Sequence, residues 1–298
     1  MNMAKRILVF GGSGLVGSRF LELNKDNFDI DAPTSSDLDV TDEPALNKYL
    51  ESSNAEVVLN FTGFTNVDGA EDEKDDQNGQ TYKLNVLVPK NLALKTKELN
   101  KYLIHISTDY VFDGTKEDSS YTEEDEPNPV NWYGQTKLFG EKEVSDNGGN
   151  FSIIRIEMPY SAHFEKKSDF ARFFYNKLKS GEEITAISDQ KITPVFVDSL
   201  VGAIKVVIDD RWQGIYHIVS ISSTSPFEFA HKMAKEFGFD TSKIKSTNFA
   251  QFNNGRKASR PKNSWLDVKK SYEKLPEGTL MTIDESIEEF KRLIDGVD

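Results

Sequence analysis

The sequence predicts an α/β fold whose core is a doubly wound parallel sheet, and three observations carry that prediction. Short β-rich runs alternate with longer helical patterns through the first half of the chain. The clearest of these runs, EVVLNF at 56–61, reads as a strand buried on both faces. A glycine cluster, GGSGLVGSRF at 11–20, falls between the first run and the first helical pattern. Such alternation needs crossover connections, which give a parallel sheet with helices on both sides.

In order, RILVF (6–10) predicts the first strand, followed by the glycine loop and a helix near 15–24. FDIDA (28–32) predicts a short strand and 43–51 a helix, before the buried strand at 56–61. In 79–100, Leu84, Leu87, Val88, Leu92 and Leu99 roughly follow the helical period. KYLIHIS (101–107) predicts a strand, 131–144 a helix, and FSIIRI (151–156) a further strand. Beyond Arg155 the pattern loosens. A Phe- and Lys-rich helix is expected over 164–182, ending at Gly181, with strands at EITAIS (183–188) and GIYHIV (214–219) and a helix around 197–209 between them. SPFEFAHKMAKEF (225–237) begins with Ser225 as N-cap and Pro226 at the first helical position. A last amphipathic helix is expected from about 283 to 294. The later segments suggest a smaller lobe beside the sheet.

Composition narrows the class. The chain has 298 residues, 37% hydrophobic and 29% charged, which is ordinary for a soluble globular protein. No apolar run approaches the roughly 18 residues of a membrane span, and MNMAKRILVFGG lacks the pattern of a secretory signal. The chain is therefore read as cytoplasmic, without membrane association. With no cysteine, disulfides, thiolate nucleophiles and cysteine metal sites are excluded, and no metal site is expected. A net charge of -13 reads as a solvated acidic surface and argues against nucleic-acid binding, which needs a basic footprint.

Chemistry enters with the glycines. Gly12, Gly14 and Gly17 satisfy G-x-G-x-x-G, and Gly11, Gly14 and Gly17 the looser G-x-x-G-x-x-G. Between a strand and a helix such a loop turns tightly, approaches a pyrophosphate closely, and offers it the free N–H groups of the helix start. At the next strand tip, DAPTSSDLDV, Asp31 can take a ribose 2′-hydroxyl. Thr34, Ser35 and Ser36 can equally hydrogen-bond a 2′-phosphate, with Arg19 adding charge. The hydroxyls tilt the expectation towards NADP(H) over NAD(H). ISTDYVFDG (106–114) puts Ser107 and Thr108 at a strand's carboxyl end, where open α/β sheets bind ligands. In NWYGQTKLFGE (131–141), Tyr133 and Lys137 stand four apart and share a helix face. A cation beside the phenol is expected to lower its pKa from about 10.

Glycine loop, Ser/Thr strand end and Tyr-x-x-x-Lys together resemble the short-chain dehydrogenase/reductase superfamily, in its extended form acting on nucleotide sugars. Over about residues 6–270, VVLNFTGFTNVDGAE, YKLNVLVPKNLA with Asn85, STDYVFDG, YGQTKLFGE, SDQKITPVFVDSL, GIYHIV and RKASRPKNSWLD run in the order seen in the dTDP-4-dehydrorhamnose reductase family. The resemblance implies a Rossmann-type NAD(P)-binding domain, residues 1–157 plus about 189–220. About 158–188 plus 221–298 would form a smaller α/β substrate-binding lobe.

It implies Tyr133 as the acid that protonates the C4 oxygen of a 4-keto-6-deoxy sugar, Lys137 as the group that lowers its pKa and holds the nicotinamide ribose, and Thr108 as a hydrogen-bonding partner of the substrate oxygen. Gly11, Gly14, Leu15 and Val16 would bind pyrophosphate, Asp39 and Val40 the adenine, and Phe61, Thr62 and Gly63 the middle of the cofactor. Asp109, Tyr110, Arg260 and Asn263 would contact a nucleotide-sugar substrate. The expected reaction is reduction of dTDP-4-dehydrorhamnose to dTDP-L-rhamnose, and a homodimer is compatible with it.

Departures cluster on the sugar side: NFTGF after Asn60 brings Phe61 and Phe64, Met158 in RIEMPYS stands where the family usually has an aromatic, HFEKKSDFARFF lacks the usual glycine, and QKITPV replaces a Gly-Ser-Pro-Thr-like turn. They leave open a reductase of another nucleotide sugar, an epimerase working by oxidation and re-reduction at C4, and a non-catalytic regulatory subunit of the methionine adenosyltransferase type. An epimerase with a cysteine acid/base is excluded.

Overall fold

The computed structural model describes residues 5–164 and 166–296. Within it the sheet of the first half forms largely as the pattern predicts. β1 (Arg6–Phe10), β2 (Asp29–Asp31), β3 (Val57–Asn60), β4 (Tyr102–Thr108), β5 (Asn150–Ile156) and β7 (Gly214–His217) make one six-stranded sheet in the order β2-β1-β3-β4-β5-β7, with every pairing parallel. β6 (Ile184–Ile187) pairs instead with β8 (Ile244–Thr247) in a separate parallel ribbon. After β1 the chain builds outward to β2, then crosses back to β3 on β1's other side. That reversal opens a crevice at the strands' carboxyl ends, the place where such sheets bind ligands.

The helices, in chain order, are α1 (Leu15–Asn24), α2 (Glu43–Ser52), α3 (Val67–Asp72), α4 (Gln80–Tyr82), α5 (Val88–Glu98), α6 (Trp132–Asn147), α7 (Phe170–Lys179), α8 (Val197–Asp210), α9 (Pro226–Phe237), α10 (Phe249–Asn253), α11 (Lys269–Tyr272) and α12 (Ile283–Ile294). Two cores sandwich the sheet. Ile7, Val9, Phe20, Ile104, Ile204 and Ile208 pack α1 and α8 on one face; Leu8, Leu46, Val58, Leu92 and Ile153 pack α2 and α5 on the other. A third core, dominated by Tyr160, Phe174, Phe229 and Phe290, ties α7, α9 and α12 to the β6–β8 ribbon. Both α9 and α12 begin with full capping boxes, Ser225 with Glu228 and Thr282 with Glu285. None of the described helices is long and apolar enough to cross a membrane.

Several elements depart from the periodicity. The helix expected over 164–182 starts only at Phe170, because the Asp169 carboxylate accepts from Arg172 N at 2.9 Å and caps it there; Glu165 lies outside the described residues. The expected helix of 79–100 is interrupted by a π-helical turn, Lys83–Leu87. That turn presents Asn85, whose Oδ1 accepts from Phe64 N at 2.8 Å and whose Nδ2 donates to Thr136 Oγ1 at 3.1 Å. Its backbone carbonyl lies so close to Gly140 of α6 that a Cβ there would collide with it. β8, α3, α10 and α11 carry too few buried residues to give a readable period.

Candidate active site

The ends of β1, β3 and β4 and the start of α6 enclose a cavity of about 530 Å³. Its first wall is the glycine loop. Gly11 has φ +79°, and a Cβ there would lie 2.8 Å from both Phe61 C and Thr62 N, so the loop can sit against the end of β3 only as glycine. Gly14, at the α1 N-cap, supplies no side chain to the helix's first N–H groups, and no acidic residue stands in the first turn. Those free donors and the partial positive charge of the helix start face a cavity that Gly14, Leu15, Val16 and Gly17 line. A dinucleotide's pyrophosphate fits this set, and the Ser107 hydroxyl, buried without a hydrogen-bond partner beside it, is a further group left for a ligand. A Cβ on Gly17 would collide with the carbonyl of Gly11. Gly17→Ala is therefore expected to open the loop and weaken binding of a nicotinamide dinucleotide at least tenfold, about 1.4 kcal/mol. Fluorescence titration measures this, and unchanged affinity would refute the cradle.

The second wall follows β3. Asn60 is fully buried, and its Oδ1 accepts from Thr62 N at 3.0 Å and Thr62 Oγ1 at 2.6 Å, which fixes the turn into Gly63. Gly63 sits tightly against Asn85: a Cβ there would lie 3.3 Å from Asn85 Oδ1. Phe61 lines the cavity while packing on Phe20 at 5.8 Å; Phe64 packs instead against the Trp132–Tyr133 cluster.

Tyr133 and Lys137 come from the first turns of α6. Asn131 caps that helix, its Oδ1 accepting from Gly134 N at 2.8 Å. Gly134 allows α6 to press against the turn after β4, where any Cβ would strike the Tyr110 carbonyl. The Tyr133 ring thus meets Tyr110 edge-on at 5.5 Å, with Thr108 on the same cavity wall. Lys137 is buried and donates from Nζ to Ile106 O at 2.7 Å. Here the electrostatic expectation needs correction. Burial pushes the Tyr133 phenol up to about 12, opposed by the facing Thr108 hydroxyl and reinforced by Asp109; burial also pushes the Lys137 amine down to about 8. Helix spacing brings the pair to one face, but desolvation outweighs any lowering of the phenol by the lysine.

Other expected contacts divide. Leu15, Val16, Thr62, Asp109 and Tyr110 line the main cavity. Asp39 and Val40 do not: Asp39 Oδ1 accepts from Thr41 N at 2.9 Å, and Val40 packs against the core of the α2 face. Arg19 cannot add charge to a 2′-phosphate as expected, because it is buried and forked onto Asp198 of α8 at 2.8 and 2.6 Å, with Glu22 also at 2.8 Å. Asp31 accepts from Tyr49 Oη at 2.9 Å. Arg260 reaches a second cavity, of about 310 Å³, and forks onto Asp68 at 2.7 and 2.8 Å. Asn263 lines neither cavity; its Oδ1 accepts from Lys191 N at 3.0 Å.

Tyr110 and Met158 line both cavities and so connect them. Met158 holds φ +39°, a conformation that costs a non-glycine residue free energy and that clusters at functional sites. The second cavity is walled by Phe170, Phe173, Phe174 and Phe252. The Phe-rich run after 164 was the available signal for it, though the pattern could not tell core from cavity wall.

With this geometry established, comparison with known proteins gives a consistent result. A family described as RmlD substrate binding domain matches residues 5–291. A protein of Mycolicibacterium smegmatis named dTDP-4-dehydrorhamnose reductase is 32% identical over 271 residues, covering 90% of this chain and 80% of the relative. A crystal structure of dTDP-4-dehydrorhamnose reductase from Bacillus anthracis in complex with NADP superposes with a TM-score of 0.87 at 27% identity, covering 97% of this chain and 99% of that one. Methionine adenosyltransferase 2 subunit beta of Rattus norvegicus is 27% identical, covering 90% of this chain and 81% of its own.

Proposed function

The chain belongs to the RmlD substrate binding domain family, and on that premise we propose that it is an NAD(P)H-dependent reductase of the C4 keto group of a nucleotide-linked 4-keto-6-deoxy sugar, with dTDP-4-dehydrorhamnose as substrate and dTDP-L-rhamnose as product. The observation that carries this reading is the burial of Tyr133 and Lys137 on one face of α6, opposite Thr108, in the cavity that the glycine loop opens into.

The reduced cofactor, when bound, is the hydride source for C4. The glycine loop and the α1 N-terminus would hold its pyrophosphate, and Phe61, Thr62 and Gly63 would flank its middle. Tyr133 delivers the proton from Oη to the oxygen that was the ketone, completing the change from C=O to CH–OH. Its raised pKa keeps the phenol loaded at neutral pH. Lys137, held by Ile106 O, offers positive charge to the phenolate left behind. Tyr110, Met158 and the phenylalanine-walled second cavity exclude water and accept the remainder of the substrate. NADP(H) is taken as the preferred cofactor, supported by the exposed hydroxyls of Ser35 and Ser36 and by the engagement of Asp31 with Tyr49.

The test is oxidation of NADPH, and separately NADH, by the purified protein with dTDP-4-dehydrorhamnose. Stoichiometric conversion to dTDP-L-rhamnose is expected, faster with NADPH. Silence with this and other nucleotide-linked 4-keto sugars would overturn the reading. The relative named as an adenosyltransferase subunit favours a second reading, a non-catalytic partner subunit. That reading predicts cofactor binding with no turnover at all.

A further inference from the structure

Behind Thr108 lie two carboxyls that the ketone chemistry above does not use. Asp109, just beyond β4, and Glu157, just beyond β5, are both buried; burial raises the pKa of each carboxyl, and the Asp109 charge raises that of Glu157 further. Glu157 Oε2 accepts from Thr193 N and Thr193 Oγ1, both at 2.6 Å, and Oε1 is 2.8 Å from Ser264 Oγ. Ser264 also faces the Asp109 carboxyl. Asp109 Oδ1 accepts from Thr108 Oγ1 at 2.9 Å, while Oδ2 is buried on the cavity wall without a hydrogen-bond partner. The other titratable or charged groups around the pair are the phenols of Tyr110 and Tyr133, both pushed up by burial, the Lys137 amine across the cavity, and Arg260, already forked onto Asp68.

Two buried carboxylates at the ends of neighbouring strands cannot both be charged at low cost. Thr108 has one hydroxyl proton, and an ionised Asp109 holds it. A keto oxygen is a weaker acceptor than a carboxylate and cannot take it away. We propose that Glu157, Ser264 and Asp109 hold a single mobile proton between them, and that its transfer from Glu157 to Asp109 turns the Thr108 hydroxyl towards the keto oxygen of the substrate. The transfer balances within the array: Glu157 Oε1–H passes its proton to Ser264 Oγ as the Ser264 hydroxyl proton passes to Asp109. The proton settles on the open Oδ2 of Asp109, and the carboxyl, now neutral, accepts at Oδ1 no more strongly than a ketone, which frees the Thr108 hydroxyl to point outward. Glu157 is thus a positioning residue, acting on substrate only through Thr108. This inference rests on the ketone-reductase reading for its consequence, but not for the existence of the proton.

Infrared spectra of the ligand-free protein, scanned from about pH 7 to about pH 10, where Asp109 by itself is mostly ionised, test the array directly. A carboxylic-acid C=O band that disappears on alkalinisation is expected in the wild type and is expected to be missing in Glu157→Gln. Asp109→Asn removes the neighbouring negative charge and should move the band's titration to lower pH. Turnover adds a second readout. Glu157→Gln keeps the shape but cannot hand on a proton, so kcat should fall about tenfold with NADPH affinity and Tm unchanged. No acid band in the wild type, a band untouched by both substitutions, or a Gln variant with wild-type kcat would overturn the proposal. A wild type inactive on every keto sugar would sink the reductase reading instead, and the infrared arm would still decide the array.

Discussion

Tyr133→Phe is expected to lower kcat by about 10²–10⁴-fold while leaving NADPH affinity within about twofold. The reason lies in where the phenol sits and how it is held. The ring packs against Tyr110 at 5.5 Å, and a phenylalanine would keep that contact, so the substitution removes the oxygen and little else. The glycine loop of residues 11–17 and the α1 N-terminus, proposed to hold the pyrophosphate, are built independently of it. Single-turnover kinetics separates the chemical step from product release, and the loss should appear in the chemical step. A Phe variant with the wild-type rate would remove Tyr133 from the mechanism. A variant that lost cofactor as well would mean that the oxygen holds nucleotide rather than moving a proton.

The largest expected effect on stability comes from the middle of the same helix. Glu141 of α6 and Arg155 of β5 are almost fully buried and form a forked ion pair, with Arg155 Nε at 2.9 Å from Oε1 and Nη2 at 2.7 Å from Oε2. The guanidinium also lies over the Phe112 ring, 5.0 Å from its centroid, and borders His217, whose imidazole burial and Arg155 together push down to about 3. His217 is therefore neutral and offers Glu141 no substitute charge. Arg155→Met strands the carboxylate in a dry interior and is expected to cost about 3–5 kcal/mol, a fall in Tm of roughly 10 °C. Replacing both partners, Arg155→Met with Glu141→Leu, should restore most of the loss, because no charge is then left unpaired. Thermal denaturation of the three variants checks this; a single variant melting within a degree or two of wild type would show that water reaches the pair. Since α6 carries Tyr133 and Lys137, the single variant should also lose activity below its melting temperature.

Local pattern carried much of the fold. β1, β3, β4 and β5 were legible because central parallel strands are apolar on both faces, and α9 because Ser225 and Pro226 announce its start. The π-helical turn at Lys83–Leu87 was not legible: Asn85 takes its place from contacts to Phe64 and Thr136, neither of them near it in sequence. β8 was missed because a four-residue strand with two exposed positions leaves no period to read.

The site divides in the same way. By itself the sequence determined the glycine loop between a strand and a helix, the Ser107–Thr108 strand end, and a tyrosine and lysine on one helix face, since each depends on spacing along a single element. Only the tertiary structure decided how those groups are charged and what surrounds them. Arg19 was drawn to Asp198, Asn263 was turned away from the cavity, Tyr133 was pushed to a high pKa, and Glu157 was set beside Asp109. Those outcomes depend on desolvation and on partners brought from distant parts of the chain, and spacing along one element does not encode either.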